Sequence, residues 1–263
     1  MLRVFITGAS SGLGEALARE FAARGARIGL LARRETALKV LAASLPNASL
    51  HCVYAVDVND HASLAAAAAD FVHQAGGIDI VIANAGISYG TLTERPEDLA
   101  VFDAILRTNL MATVATFAPF IETMKVQAGE SSGRPAPTLV GIGSVAGIRG
   151  LPGAEAYSAS KAAVISYCES LRVELQRHRI RVVTIAPGYI DTPMTQVNTY
   201  RMPFLMSAER FARRAAEVIL AGRSYAVIPW QMRGVSWLLR LLPNWLYDWV
   251  MAKAPHKVSY HER

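Results

Sequence analysis

Hydrophobic positions along the chain fall into two alternating rhythms. Short apolar runs, written mainly in Val, Ile, Leu and Ala, occupy residues 3–7, 27–32, 50–56, 78–83, 138–142, 181–186 and 225–228. Runs that do not alternate with polar residues predict strands buried on both faces. Between them lie longer stretches with helical spacing, over 12–24, 35–45, 61–74, 99–127, 156–178 and 208–221. In the second of these, Leu38, Leu41, Ala42 and Leu45 recur at i, i+3, i+4 and i+7, so one stripe faces a core. Strands alternating with helices predict an α/β fold of Rossmann type. The expected architecture is a doubly wound parallel sheet of about seven strands with helices on both faces, forming a single domain.

Punctuation refines this outline. Gly25 and Gly76-Gly77 follow helical stretches and read as helix stops. The segment 129–137, rich in Gly, Ser and Pro, predicts a surface loop. After Pro187 the rhythm breaks, and residues 189–211, with Pro193 and Pro203 among Tyr and Met, predict an extended lobe over whatever site the sheet carries. Residues 1–228 hold the sheet, and 229–263 form an apolar, Trp-rich C-terminal extension of the same domain. No internal repeat is visible; the alanine run over 65–69 is good helix composition.

Composition narrows the class. Hydrophobic residues make up 52% of the 263 and charged residues 18%, which excludes intrinsic disorder. The net charge of +6, from 27 Lys and Arg against 21 Asp and Glu, invites a polyanion partner. The basic residues, however, are scattered as singles and pairs such as Arg33-Arg34 and Arg213-Arg214, without the run that marks a nucleic-acid surface, so no nucleic acid is expected. Cys52 and Cys168 sit in apolar surroundings and imply no disulfide framework. With no charged leader ahead of the first strand, a reducing, cytoplasmic setting is expected.

Candidate chemistry begins at the first strand. It runs into Thr7-Gly8-Ala9-Ser10-Ser11-Gly12-Leu13-Gly14 and then directly into a helix. Gly8 permits a tight turn, Gly12 lets backbone approach a pyrophosphate and Gly14 allows close helix packing, while the helix N-terminus offers N–H groups and a positive dipole. A dinucleotide is the natural ligand. An NAD site would place Asp or Glu at the end of the second strand to hold the ribose 2′-hydroxyl, but here the chain reads Leu30-Leu31-Ala32-Arg33-Arg34. Two guanidiniums suit a 2′-phosphate, so NADP(H) is the expected cofactor and NAD the alternative.

Further on, Tyr157 and Lys161 fall four apart on a predicted helix and share one face. A Tyr side chain near pKa 10 becomes useful for proton transfer at neutral pH when a cation favours its phenolate, and Lys161 is placed to be that cation. Ser144 lies just past a strand end in a Gly-rich segment, where its hydroxyl can meet a substrate oxygen. No metal site is expected.

Together these residues make the chain resemble a short-chain dehydrogenase/reductase of the compact single-domain kind, over about residues 1–228. The resemblance rests on TGASSGLG at 7–14, Asp57-Val58, Asn84-Ala85-Gly86, Asn109, Ser144, YSASK at 157–161, and Pro187-Gly188 followed by Thr192. It implies that residues 1–228 form the dinucleotide-binding and catalytic domain. It implies Tyr157 as general acid in carbonyl reduction and base in the reverse direction, Lys161 holding the nicotinamide ribose and lowering the Tyr157 pKa, Ser144 orienting the substrate oxygen and Asn109 supporting a water-mediated proton relay. The cofactor would be held by Gly8, Ser10, Ser11, Gly12, Leu13 and Gly14, by Arg33 and Arg34, and by Asp57 and Val58 at the adenine. Asn84, Ala85 and Gly86 would line it mid-sheet, Tyr157 and Lys161 would touch it, and Pro187, Gly188, Ile190 and Thr192 would cover the nicotinamide amide. Ala83 stands where many relatives carry a second Asn, a change that leaves the Asn-Ala-Gly element in place.

The implied activity is interconversion of a carbonyl and an alcohol by hydride transfer on a small, apolar substrate, in a homo-oligomer of two or four copies. Two other classes stay open: a non-catalytic nucleotide-binding scaffold on the same fold, and a peripheral membrane-surface protein. The second is suggested by residues 229–251, which hold all four Trp residues but are interrupted by Arg233, Arg240, Asp248 and Pro243 and so do not read as a membrane span. Packing on a partner subunit or over the pocket is the first expectation for this tail, and contact with a membrane surface the second.

Overall fold

A computed structural model of the chain describes residues 1–130, 133, 135–252 and 260. Its elements follow the predicted alternation: β1 (Arg3–Thr7), α1 (Gly12–Ala23), β2 (Arg27–Ala32), α2 (Glu35–Ser44), β3 (Cys52–Ala55), α3 (His61–Ala75), β4 (Ile80–Ala83), α4 (Asp98–Leu106), α5 (Ala112–Glu130), β5 (Thr138–Ile142), α6 (Glu155–Gln176) and β6 (Arg181–Pro187). Then come β7 (Ile190–Asp191), α7 (Pro193–Gln196), β8 (Met206–Ser207), α8 (Ala208–Leu220), β9 (Tyr225–Ile228), α9 (Trp230–Leu241) and α10 (Asn244–Met251). Seven strands form one parallel sheet in the order β3-β2-β1-β4-β5-β6-β9, and β7 pairs with β8 in a separate small ladder. The order reverses between β1 and β4, the switch point at which open α/β sheets take their ligands.

Burial explains why the strands lack polar alternation. On β1, Val4 and Ile6 point into one core shared with Leu17, Phe21, Leu38 and Phe211, while Phe5 between them points into the other. The first core lies under α1, α2 and α8 and the second under α3, α5 and α6. Phe5 centres the second, with ring centroids 5.0 Å from Phe120 and 5.6 Å from Phe71. Burying each such ring stabilises the fold by roughly 1.5–3 kcal/mol.

Some boundaries differ from those expected: β4 begins at Ile80, two residues late, and α6 ends two residues early at Gln176. The predicted strand over 50–56 is shortened, because Ala48–Leu50 coil into a 3-10 turn that precedes β3. The helix expected over 99–127 runs from 98 to 130 but is interrupted by a π turn, Arg107–Met111, between α4 and α5. It also carries Gly129 and Glu130, which had read as the start of a loop; Ser131, Ser132 and Arg134 of that loop lie outside the described residues. This helix, Asp98–Glu130, is the one described segment long and apolar enough to cross a membrane. Its residues Phe117, Phe120 and Met124 instead pack in the core around Phe5.

The N-terminal ends of β1 and β4 are tied by a buried ion pair. Arg3 donates from Nε to Asp79 Oδ2 at 2.8 Å and from Nη2 to Oδ1 at 2.6 Å, and its main-chain N–H also donates to Oδ2. Both side chains are almost fully buried. Asp79→Ala is therefore expected to cost about 3–5 kcal/mol, since it strands a guanidinium in the interior. Urea unfolding followed by circular dichroism measures this, and a loss under about 1 kcal/mol would show that the pair is solvated.

Candidate active site

The C-terminal ends of the strands open into a cleft of about 630 Å³. Its floor is the loop from β1 to α1. Gly8 and Gly12 adopt positive φ (+67° and +57°), a conformation that side chains rarely take. A Cβ on Gly14 would strike the Gly8 carbonyl and lie 2.6 Å from Asn84 Nδ2. Asn84 Nδ2 donates to Thr7 O at 3.0 Å, and Thr7 Oγ1 accepts from Asn84 N at 3.1 Å and Ala85 N at 3.3 Å. The loops after β1 and β4 are thus fastened together, leaving the N-terminus of α1 open towards the cleft. Gly12 faces Thr192, whose Cβ would be 3.3 Å from a side chain placed there, so the segment after β6 closes over the same loop.

One end of the cleft is basic. Arg34 reaches back over the loop, donating from Nη2 to Ser11 Oγ at 2.7 Å and to Ser10 Oγ at 3.0 Å. Arg33 is 73% exposed and stands 3.9 Å from Asp57, an ion pair too loose and solvated to fix it. Asp57 also accepts from Asn59 N at 2.9 Å. No carboxylate takes the position after β2.

The other end gathers Ser144, Tyr157 and Lys161. Ser144 follows β5 and caps a 3-10 turn, accepting from Ala146 N at 3.1 Å. Tyr157 and Lys161 lie on one face of α6. Burial pushes the Tyr157 phenol upward, and its hydrogen bond with Ser144 pulls the other way. Lys161 donates to Ile142 O at 2.8 Å, with its Nζ 5.9 Å from the centroid of the Tyr157 ring. Burial draws its ammonium down to about 8.

Asn109 does not line the cleft but supports it from behind. It sits in the π turn, fully buried, where Oδ1 accepts from Ile87 N at 2.8 Å and Nδ2 donates to Ile87 O at 3.0 Å and Ser160 Oγ at 2.9 Å. The π turn lies where this inward-facing amide binds both the loop after β4 and helix α6. Gly86 stands between Asn109 and Lys161: a Cβ there would be 3.0 Å from Asn109 Oδ1 and 3.6 Å from Lys161 Nζ.

Apart from Asn109 and Gly14, every residue expected from sequence to hold the cofactor or act in catalysis lines this one cleft: Gly8, Ser10, Ser11, Gly12, Leu13, Arg33, Arg34, Asp57, Val58, Asn84, Ala85, Gly86, Ser144, Tyr157, Lys161, Pro187, Gly188, Ile190 and Thr192. Sequence reasoning missed Asn59, Ile87, Thr108 and Met194, which line it too. Asn59 Nδ2 donates to Thr108 Oγ1 at 3.3 Å across the opening. Their one sequence signal is adjacency, each lying within two residues of a residue already singled out. In the lobe outside that lining, the rings of Tyr189 and Tyr200 meet edge to face at 6.3 Å. The Tyr200 phenol is pushed up to about 12 by burial, then by Tyr189 and Tyr157. Among the described residues no cluster of His, Cys, Asp and Glu could hold a metal.

Comparison with known proteins decides the family. A family model of short chain dehydrogenases matches residues 3–202. The chain belongs to the short-chain dehydrogenase/reductase family. As a member it is an NAD(P)-dependent oxidoreductase of Rossmann fold. It is 35% identical over 247 residues to an uncharacterized oxidoreductase of Myxococcus xanthus, covering 92% of this chain and 93% of that one. It is 38% identical to an uncharacterized oxidoreductase of Mycobacterium tuberculosis, over 87% of this chain and 88% of that one. Among solved structures it superposes on a 3-ketoacyl-(acyl-carrier-protein) reductase from Brucella melitensis complexed with NADH, with a TM-score of 0.75, 26% identity and coverage of 86% and 94%. It also superposes on levodione reductase, with a TM-score of 0.77, 26% identity and coverage of 88% and 98%.

The buried Lys161 has a consequence for stability. Its folded value near 8 lies below the unfolded value of 10.5, so between those pH values the unfolded chain binds the extra proton. Lys161 therefore costs stability below pH 8, and the cost fades as pH rises to 10.5. Lys161→Met, free of that cost, is expected to exceed the unliganded parent in stability by most below pH 8, with the gap narrowing towards pH 10.5. Chemical unfolding of both proteins across this range checks it, and a constant gap would contradict it.

Proposed function

We propose that this oxidoreductase reduces a carbonyl, and oxidises the matching alcohol, with NADP(H) as preferred partner and Tyr157 as the proton-transfer group. The observation that carries the reading is that a single cleft ends in two guanidiniums on one side and in the Ser144–Tyr157–Lys161 group on the other. The glycine-lined floor fits a dinucleotide, because Gly8 and Gly12 present bare main chain to the cleft, while a side chain at 8 or 14 would strike the neighbouring main chain and Asn84 and force the loop out of shape. When bound, the nicotinamide supplies the hydride.

The chain's residues supply placement and the proton. Ser144 Oγ and the Tyr157 hydroxyl bond each other, and a carbonyl oxygen that replaces this bond can accept from both, so reduction delivers the Tyr157 proton to that oxygen. Lys161, protonated at neutral pH with a value near 8, stabilises the phenolate left behind. Gly86 keeps any side chain from standing between Lys161 Nζ and Asn109 Oδ1, and a water bridging these two would be the route by which solvent returns the proton. Asn109 acts there as a positioning residue, since its amide already holds Ile87 and Ser160.

The cofactor preference rests on Arg33 and Arg34. Arg34 holds the loop serines and lies above the phosphate floor, while Arg33 keeps donors free for a 2′-phosphate. The subunits are expected to associate as dimers or tetramers, as relatives in this family commonly do. A substrate of apolar character fits Ile87 and Met194 of the cleft wall.

Two outcomes test these assignments. Tyr157→Phe should lower kcat for ketone reduction by roughly 10²–10⁴-fold with cofactor affinity kept; full turnover in the variant would remove Tyr157 from the chemistry. Arg33→Ala should weaken NADPH binding by roughly 10- to 100-fold while leaving NADH within about threefold, measured by fluorescence titration. An equal loss for both cofactors would end the case for a 2′-phosphate site.

A further inference from the structure

The tail is not absorbed by the cleft. All four tryptophans of the chain lie there, and Trp230, Trp237, Trp245 and Trp249 are each between 67% and 76% exposed. On α9, Trp230, Trp237 and Leu241 recur at i, i+7 and i+11 along one exposed face, while Met232 and Ser236 are buried on the other. On α10, Trp245 and Trp249 are one turn apart, with Tyr247 buried. Where α9 begins, a small cavity of about 120 Å³ is lined by Phe204, Leu205 and Trp230 together with Arg210 and Arg214, one turn apart on α8. Neither arginine forms an ion pair among the described residues.

We propose that this tail and the adjoining end of α8 dock the protein on the surface of an anionic bilayer. Exposed indoles beside unpaired guanidiniums match the two layers of such a surface, since Trp favours the headgroup boundary and Arg pairs with lipid phosphate. The helices of 12 and 8 residues rise about 18 and 12 Å, too short for a hydrocarbon core of ~30 Å, so they lie in the interface and do not span it. A second copy is a poorer occupant. In a two-fold contact the same patch serves both sides, so Arg210, Arg214 and Arg233 of both copies would be gathered into one interface.

The patch is also fixed to the cleft. Arg149 donates to the carbonyls of Leu239 and Leu242 (the latter at 2.7 Å) and to Asn244 Oδ1 at 3.1 Å, and its guanidinium lies 3.8 Å above the Tyr247 ring. The Tyr247 hydroxyl donates to Gly150 O, and Arg240 donates to Ile148 O at 3.3 Å. These partners belong to the loop that follows Ser144. Met232 packs on Gly188 in the cleft wall. A docked tail would set the cleft beside the bilayer, where an apolar carbonyl compound can enter from the membrane. That consequence rests on the function proposed above, whereas docking itself does not.

Co-sedimentation of the full chain with phosphatidylcholine vesicles, and with vesicles that also contain phosphatidylglycerol, tests the proposal. The expected result is pelleting with the anionic vesicles, a blue shift of Trp emission, and release as salt is raised. Both Trp237→Ala/Trp245→Ala and Arg210→Ala/Arg214→Ala should lower partitioning at least about tenfold. They should leave thermal unfolding and turnover of a water-soluble ketone unchanged, because these side chains are exposed and outside the cleft. Absence of binding to either vesicle, or binding unchanged in both variants, would overturn the proposal. So would a dimer that the Trp variant dissociates in the absence of any vesicle binding, which would assign the face to a second copy. A chain that docks but turns over no carbonyl compound would support docking and count against the enzymatic reading alone.

Discussion

Everything in this molecule that faces a ligand depends on one close approach of main chain to main chain, between the loop after β1 and the loop after β4. Gly14 meets the Gly8 carbonyl and the Asn84 amide without room for a methyl group, and a Cβ on Gly8 would lie 2.8 Å from Ala85 Cα. Thr7 and Asn84 knit the two loops by side-chain hydrogen bonds. This contact sits where the strand order reverses, so the ends of β1 and β4 diverge and the cleft opens between them. The helix N-terminus thereby points into the cleft, and the basic end and the tyrosine end take their places on either side of it.

A second layer of polar contacts carries that geometry across to α6. The π turn at Arg107–Met111 turns Asn109 inward, and its amide holds Ile87 in the loop after β4 and Ser160 on α6. Ser160 lies between Tyr157 and Lys161 in the chain, so the amide that fixes one loop also fixes the helix bearing the candidate chemistry. Lys161 is buried at a cost, offset in part by its bond to Ile142 O at the end of β5. An ammonium drawn down to about 8 by burial is a costly choice for a purely structural position.

Much of this was legible because the residues concerned obey local rules. Apolar runs marked all seven sheet strands to within two residues, and the glycines at 8, 12 and 14 announced a loop that must approach something closely. Other features gave misleading signals. Arg3 counted towards the basic surplus, yet it is buried against Asp79, a partner distant in sequence. The segment after Gln127 looked like a loop by composition, but α5 continues through Glu130. The third strand lost its first two residues because Ala48–Leu50 close a 3-10 turn that His51 ends. Asn59 and Thr108 carried no motif of their own, because their contact joins the loop after β3 to the π turn, two segments far apart in the chain.

The sequence by itself determined the layered α/β class, the phosphate-loop glycines, the absence of a carboxylate after β2 and the pairing of Tyr157 with Lys161, since each follows from spacing within a single element. Only the tertiary structure decided which residues meet. It set Arg34 on the loop serines, put Asn109 behind the cleft, turned the balance at Tyr157 towards burial, and left the tail tryptophans in solvent with Arg149 clamping their helices to the loop after Ser144. The reason is physical: periodicity reports which face of an element is apolar, whereas hydrogen bonds, ion pairs and desolvation arise between elements that chain order does not bring together.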